Sequence, residues 1–95
     1  MSRFSYYVYI ITNKLRTVFY IGITNNLDRR IYEHKHDSIE GFSKQYKLHN
    51  LVYFEEYPSV TDAITREKQL KGWHREWKIN LIKTINPSLK DLTIE

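Results

Sequence analysis

A carboxylate set in the middle of an apolar helix stripe is the residue in this chain that most needs a chemical explanation. With Val60 as origin and a step of ~100° per residue, Ala63, Ile64 and Leu70 share one helix face, and Glu67 falls among them. A carboxylate on a packing face is costly unless it is ion-paired, hydrogen-bonded or bound to a metal. Two chemistries therefore suit Glu67: an ion pair with an arginine of the other helix, or a divalent-cation site. A helix begun at Leu27 sets Arg30 and His34 beside its apolar stripe, while Arg29 and His36 land on the opposite side. An arginine there can simply lay its stem on apolar surface, and a histidine can be a satisfied core group. Three ionisable residues that all flank or interrupt packing faces make a stronger case than any one of them.

The elements that must position these residues are readable from pattern. YYVYIIT (Tyr6 to Thr12) and TVFYIGIT (Thr17 to Thr24) are β-branched and aromatic runs joined by four polar-flanked residues, an antiparallel hairpin. In the second run Phe19, Ile21 and Ile23 point one way, and Val18, Tyr20, Gly22 and Thr24 the other. In the first, Tyr7, Tyr9 and Ile11 oppose Val8 and Ile10. One sheet face is expected to pack and the other to carry tyrosines toward something polar.

Asn25-Asn26 caps a helix from Leu27 to about His36. Residues 37–50 read as a loop, and LVYFEEY (Leu51 to Tyr57) as a third strand. Pro58-Ser59 ends it, with Ser59 or Thr61 capping a helix to about Gly72, followed by a helix from about His74 to Lys83. The expectation is an α+β fold in the order ββ-α-β-α-α, a three-stranded antiparallel sheet with helices packed on it. Residues 1–95 form a single domain, with a short free end at Met1–Ser2 and a largely irregular C-terminal tail over 84–95.

Composition narrows the function classes. Ninety-five residues with 15 Lys+Arg, 11 Asp+Glu and a formal charge of +4 fit one ordinary globule. No run reaches the ~20 apolar residues of a membrane helix, and no secretory leader is visible, so the expected address is cytoplasmic. Without cysteine, disulfides and thiolate chemistry are ruled out. Between Arg66 and Lys83, six cations meet two acids, a local charge of +4. Arg66, Lys68, Lys71, Arg75 and Lys78 could form a stripe that contacts phosphates without reading sequence. A solvated helical face explains the same pattern equally well. Trp73 and Trp77 are expected in the core.

Taken together, the motifs resemble the GIY-YIG nuclease superfamily. Tyr7-Val8-Tyr9 and, after ten intervening residues, Tyr20-Ile21-Gly22 match its paired motif, with Tyr7 where the family has glycine. Arg30 follows Tyr20 by ten positions as the family arginine does, His34 matches the histidine one turn later, and Glu67 in REKQLKGW matches the metal-binding glutamate. The likeness covers almost the whole chain and is greatest to small free-standing bacterial members. It extends to the N-terminal incision domain of the bacterial nucleotide-excision repair endonuclease.

The resemblance implies a metal-dependent endonuclease hydrolysing phosphodiester bonds in DNA, in repair or recombination-type processing. In that reading Glu67 holds one Mg²⁺ or Mn²⁺, and Arg30 binds the scissile phosphate. Tyr9 or Tyr20 activates water, with a phenol whose pKa nearby positive charge must lower. His34 holds a tyrosine or accepts its proton, and Gly22 leaves room for the nucleic-acid backbone. A separate protein partner would direct such a small domain to its target. The alternative is a non-catalytic nucleic-acid-binding or adaptor domain that keeps the nuclease fold.

Overall fold

The computed structural model describes residues 5–38 and 41–93. The Met1–Ser2 end and the last two residues of the expected tail lie outside them. Strand β1 (Tyr6–Thr12) runs down the middle of an antiparallel sheet of order β2-β1-β3, between β2 (Phe19–Thr24) and β3 (Asn50–Tyr57). The hairpin register sets Tyr9 opposite Gly22 and Ile11 opposite Tyr20. β2 starts two residues later than its β-branched run because Asn13 holds Thr17 and Val18 in the turn. Its Oδ1 accepts from their backbone N–H groups at 2.8 and 3.2 Å.

Both faces of the sheet are covered. Val8, Ile10 and Ile21 pack with Val52, Ala63, Leu70 and Ile82 beneath α3 (Val60–Lys71) and α4 (Arg75–Lys83). Tyr9, Ile11 and Leu51 pack with Ile31 and Leu48 beneath α1 (Leu27–Lys35). The expectation of one packed and one polar face is corrected here. A strand buried on both sides needs apolar bulk at every position, which is why YYVYIIT shows no clean alternation.

Helix ends follow their capping residues. Asn26 Oδ1 accepts from Arg29 N at 3.1 Å to start α1, and Ser59 Oγ accepts from Asp62 N at 3.4 Å to start α3. The stretch expected as a loop contains one more helix, α2 (Phe42–Tyr46), entered at Gly41 with φ +103° and left at Lys47 in the left-handed region. Five residues are too few to show a helical period. From residue 84 to 93 the chain is irregular but tied down. Asn86 is buried and donates to Val52 O at 3.0 Å, Leu92 N donates to Leu51 O at 2.7 Å, and Asp91 pairs with Lys35 at 2.5 Å. Among the described residues, no helix is long and apolar enough to cross a membrane.

Candidate active site

The register and α1 together assemble the site on one face of the sheet. Tyr9 is 1% exposed, and its hydroxyl lies 2.9 Å from His34 Nε2. His34 Nδ1 lies in turn 2.6 Å from Ser43 Oγ on α2. Burial pushes the Tyr9 phenol up to about 12, Tyr20 adds to that, and Arg30 opposes it through its charge and hydrogen bonding. Arg30 alone therefore does not lower the Tyr9 phenol, because desolvation of the phenolate outweighs its charge.

Burial, then the charge of Arg30, lowers His34 to about 4, so its imidazole is neutral at pH 7. A protonated phenol next to a neutral imidazole can donate its O–H to Nε2, and in that tautomer Nδ1–H donates to Ser43 Oγ. This buried chain, Tyr9 to His34 to Ser43, is fully bonded.

Tyr20 is the more exposed phenol. Its ring sits 6.2 Å from that of His34 and stacks on Phe42 of α2 at 6.1 Å. Arg30 projects from α1 near Tyr9 and His34. Its Nε is 3.2 Å from Glu33 Oε1, but the N–H is not aimed at the carboxylate, and the buried Nε is left without a hydrogen bond. Such a donor costs about 1–3 kcal/mol until an acceptor arrives, which makes it a ready contact for an anion. Glu67 enters from α3, its side chain 14% exposed and paired with Lys71 Nζ at 2.7 Å. The same ammonium lies 5.9 Å from the Tyr20 ring, so the acid reaches the cluster by way of Lys71.

The chain as a whole matches a known family. The model of the GIY-YIG catalytic domain matches residues 5–80. The chain belongs to the GIY-YIG family. It is 32% identical over 78 residues to UPF0213 protein SH2523 of Staphylococcus haemolyticus, covering 82% of this chain and 94% of that one. It is 35% identical over 78 residues to UPF0213 protein CPE1444 of Clostridium perfringens, covering 82% and 83%. The solution structure of UPF0213 protein BH0048 from Bacillus halodurans superposes with a TM-score of 0.58 at 27% identity, covering 88% of each chain. The small GIY-YIG fold expected from the sequence is thus observed, and the family assigns a nuclease-type role with a nucleic-acid substrate.

GIY-YIG nucleases generally use a divalent metal. Among the described residues no three His, Cys, Asp or Glu side chains are grouped to cage one. A single carboxylate in a shielded position suits a hard ion that keeps most of its waters, as Mg²⁺ does, and does not suit zinc. Glu67 therefore fits as the protein ligand.

The other GIY-YIG positions fall differently from expectation. Gly22 leaves no room for a nucleic-acid backbone, because the Tyr9 ring already fills that space: a Cβ built there would sit 2.4 Å from the phenol oxygen. Tyr7 rests its ring edge on Phe54 at 6.3 Å and has no positive φ, so no glycine is required at the first motif position.

Within the basic stripe, Arg66 is committed to the protein itself. Its Nε and Nη2 donate to Glu55 at 2.9 and 3.0 Å, and its guanidinium lies 5.3 Å from the Trp73 ring. Arg75 donates to Thr17 O and Arg16 O and covers Phe19. Both arginines anchor helices and leave Lys68, Lys71 and Lys78 as the candidates for phosphate contact. Ser43 and Phe42 were not legible as site features, since they sit on a helix too short to leave a pattern, and the Lys71–Tyr20 contact joins α3 to β2 across a distance no local period encodes.

Proposed function

We propose that the protein is a metal-dependent DNA endonuclease, acting in repair or recombination-type processing, with Tyr9, Tyr20, Arg30, His34 and Glu67 as its working residues. One observation supports this most: two phenols, a neutral imidazole and an incompletely bonded guanidinium converge on one face beside the Glu67–Lys71 pair. Hydrolysis forms a bond from water oxygen to phosphorus and breaks the phosphorus–oxygen ester bond, so the water loses a proton and the leaving oxygen gains one. Tyr20, the outer phenol, orients the water. Tyr9 takes the proton lost by the water as its own passes to His34 Nε2, which avoids a buried phenolate, and the leaving oxygen takes its proton from solvent. Arg30 donates to the phosphate oxygens, where charge builds as water attacks. Glu67 would hold the divalent ion, which when bound would supply charge neutralisation and activation of the water.

A second reading, a non-catalytic nucleic-acid-binding or adaptor domain, draws on the Glu67–Lys71 pair, which gives the acid a structural partner. Cleavage assays on plain duplex, flapped, branched and single-stranded DNA with Mg²⁺ or Mn²⁺ separate the two. The nuclease reading requires cleavage by the wild type that Glu67→Ala abolishes while the fold persists. Cleavage unchanged by Glu67→Ala, or none on any substrate despite binding, supports the second.

A further inference from the structure

Helix α2 carries two rings to the edge of this site and leaves both largely in solvent. Phe42 is 46% exposed and Tyr46 43% exposed, and neither belongs to either core. They form a ladder that begins at a site residue. Tyr20 stacks on Phe42 with ring centroids 6.1 Å apart and planes at 29°, and Phe42 meets Tyr46 at 4.6 Å and 44°. Beside the ladder runs an open groove of about 340 Å³, lined by Phe19, Tyr20, Ile21, Phe42, Lys71 and Lys78. Aromatic faces next to two ammonium groups, continuous with Tyr20 of the proposed site, match the needs of a single nucleic-acid strand: a π-face for a base and cations for its phosphates. A base inside an intact duplex has both faces covered and cannot use such a shelf.

We propose that Phe42 and Tyr46 are a stacking platform for an unpaired nucleobase next to the scissile phosphate, with Lys71 and Lys78 contacting the flanking phosphates. The substrate class is then DNA with a single-stranded segment adjoining the cut, such as a flap, tail or fork. This rests on the nuclease reading and deepens it.

The test measures binding of the full chain in EDTA, so that no cleavage intervenes, to a blunt duplex, the same duplex with a single-stranded tail, and the single strand. 2-Aminopurine is placed in the tail at its junction with the duplex. Phe42→Leu removes the π-face but keeps apolar bulk, and Phe42→Trp keeps the π-face. Phe42→Leu should weaken the tailed and single-stranded ligands about tenfold, the scale of one lost base–aromatic stack, and abolish the 2-aminopurine quench. Phe42→Trp should stay within about twofold of wild type on all ligands. The blunt duplex should be indifferent to both.

Equal losses on blunt and tailed DNA, a quench that survives Phe42→Leu, or a wild-type dimer that Phe42→Leu disperses would each overturn the platform. Cleavage with Mn²⁺ by the same samples reports separately. A wild type that cleaves without any Phe42 dependence overturns the platform alone. Phe42-dependent binding without cleavage overturns the nuclease reading alone.

Discussion

The phenol of Tyr9 occupies the space that a side chain at Gly22 would need. A Cβ at Gly22 would come within 2.4 Å of both Cζ and Oη of Tyr9, a ring that is 1% exposed and bonded to His34. The second motif is thus glycine because the first motif's tyrosine lies across it, one strand away. Gly22→Ala should destabilise the fold by about 1–3 kcal/mol and expel the ring from His34. Urea unfolding gives the first effect, and the His34 ring resonances, moved toward solvent-like values, give the second. An alanine variant as stable as wild type would mean that the ring has room to move.

His34 gives a pH dependence whose sign is fixed by burial. Its pKa falls from 6.5 unfolded to about 4 folded, so between those values the unfolded chain binds more protons and stability drops as pH falls. At about 1.4 kcal/mol for each tenfold shift, the loss is of order 3 kcal/mol, complete near pH 4. Unfolding free energies of wild type and His34→Gln should therefore converge between pH 6.5 and 4, since both share the other titrating groups. A ring titration centred near 6.5 in the folded protein would contradict this.

Glu55 is the hub that holds α3 against β3. It accepts from Tyr53 Oη at 2.5 Å, Tyr57 Oη at 2.6 Å and the Arg66 fork. Burial pushes its carboxyl up, but the Arg66 and tyrosine hydrogen bonds prevail and keep it below the ordinary value. Glu55→Ala leaves a partly buried guanidinium unpaired and should cost about 3 kcal/mol. Its lowered pKa means that this stability is present above pH 4.5 and lost as pH falls through the folded value. Denaturant midpoints of Glu55→Ala against wild type at pH 7 and pH 3 would show the difference shrinking at the lower pH.

Lys71 pairs with the Glu67 carboxylate, so in the proposed nuclease it would compete with the divalent ion for that group. Removing it in Lys71→Met should tighten Mn²⁺ binding, read as paramagnetic broadening of amides around Glu67 and Tyr20 at lower metal concentration. Glu67→Ala should abolish that broadening. Broadening centred elsewhere in both variants would remove Glu67 as the ligand.

Arg30 and Arg29 are neighbours with opposite fates. Arg30 is near Tyr9 with a buried, unbonded Nε, while Arg29 is exposed. Arg30→Ala should lower turnover about 100-fold, the scale of one lost transition-state donor, and Arg29→Ala should leave it within about twofold. Equal effects of the two would indicate loss of general electrostatic attraction and not of a specific contact.

Local pattern determined the three strands and the three longer helices, and narrowed their caps to Asn25-Asn26 and to Ser59 or Thr61, of which the structure uses Asn26 and Ser59. Each of those signals lies in the spacing of residues a few positions apart, where the strand and helix periods act. Tertiary structure decided what the residues do there. Whether Tyr9 ionises depends on how deeply α1 buries it, and why residue 22 is glycine depends on a ring in the neighbouring strand. Likewise, which arginines of the basic stripe remain for a ligand depends on Glu55 and on the Thr17 carbonyl. Desolvation and long-range hydrogen bonding are set by neighbours 10 or more residues distant, and no periodicity along the chain encodes them.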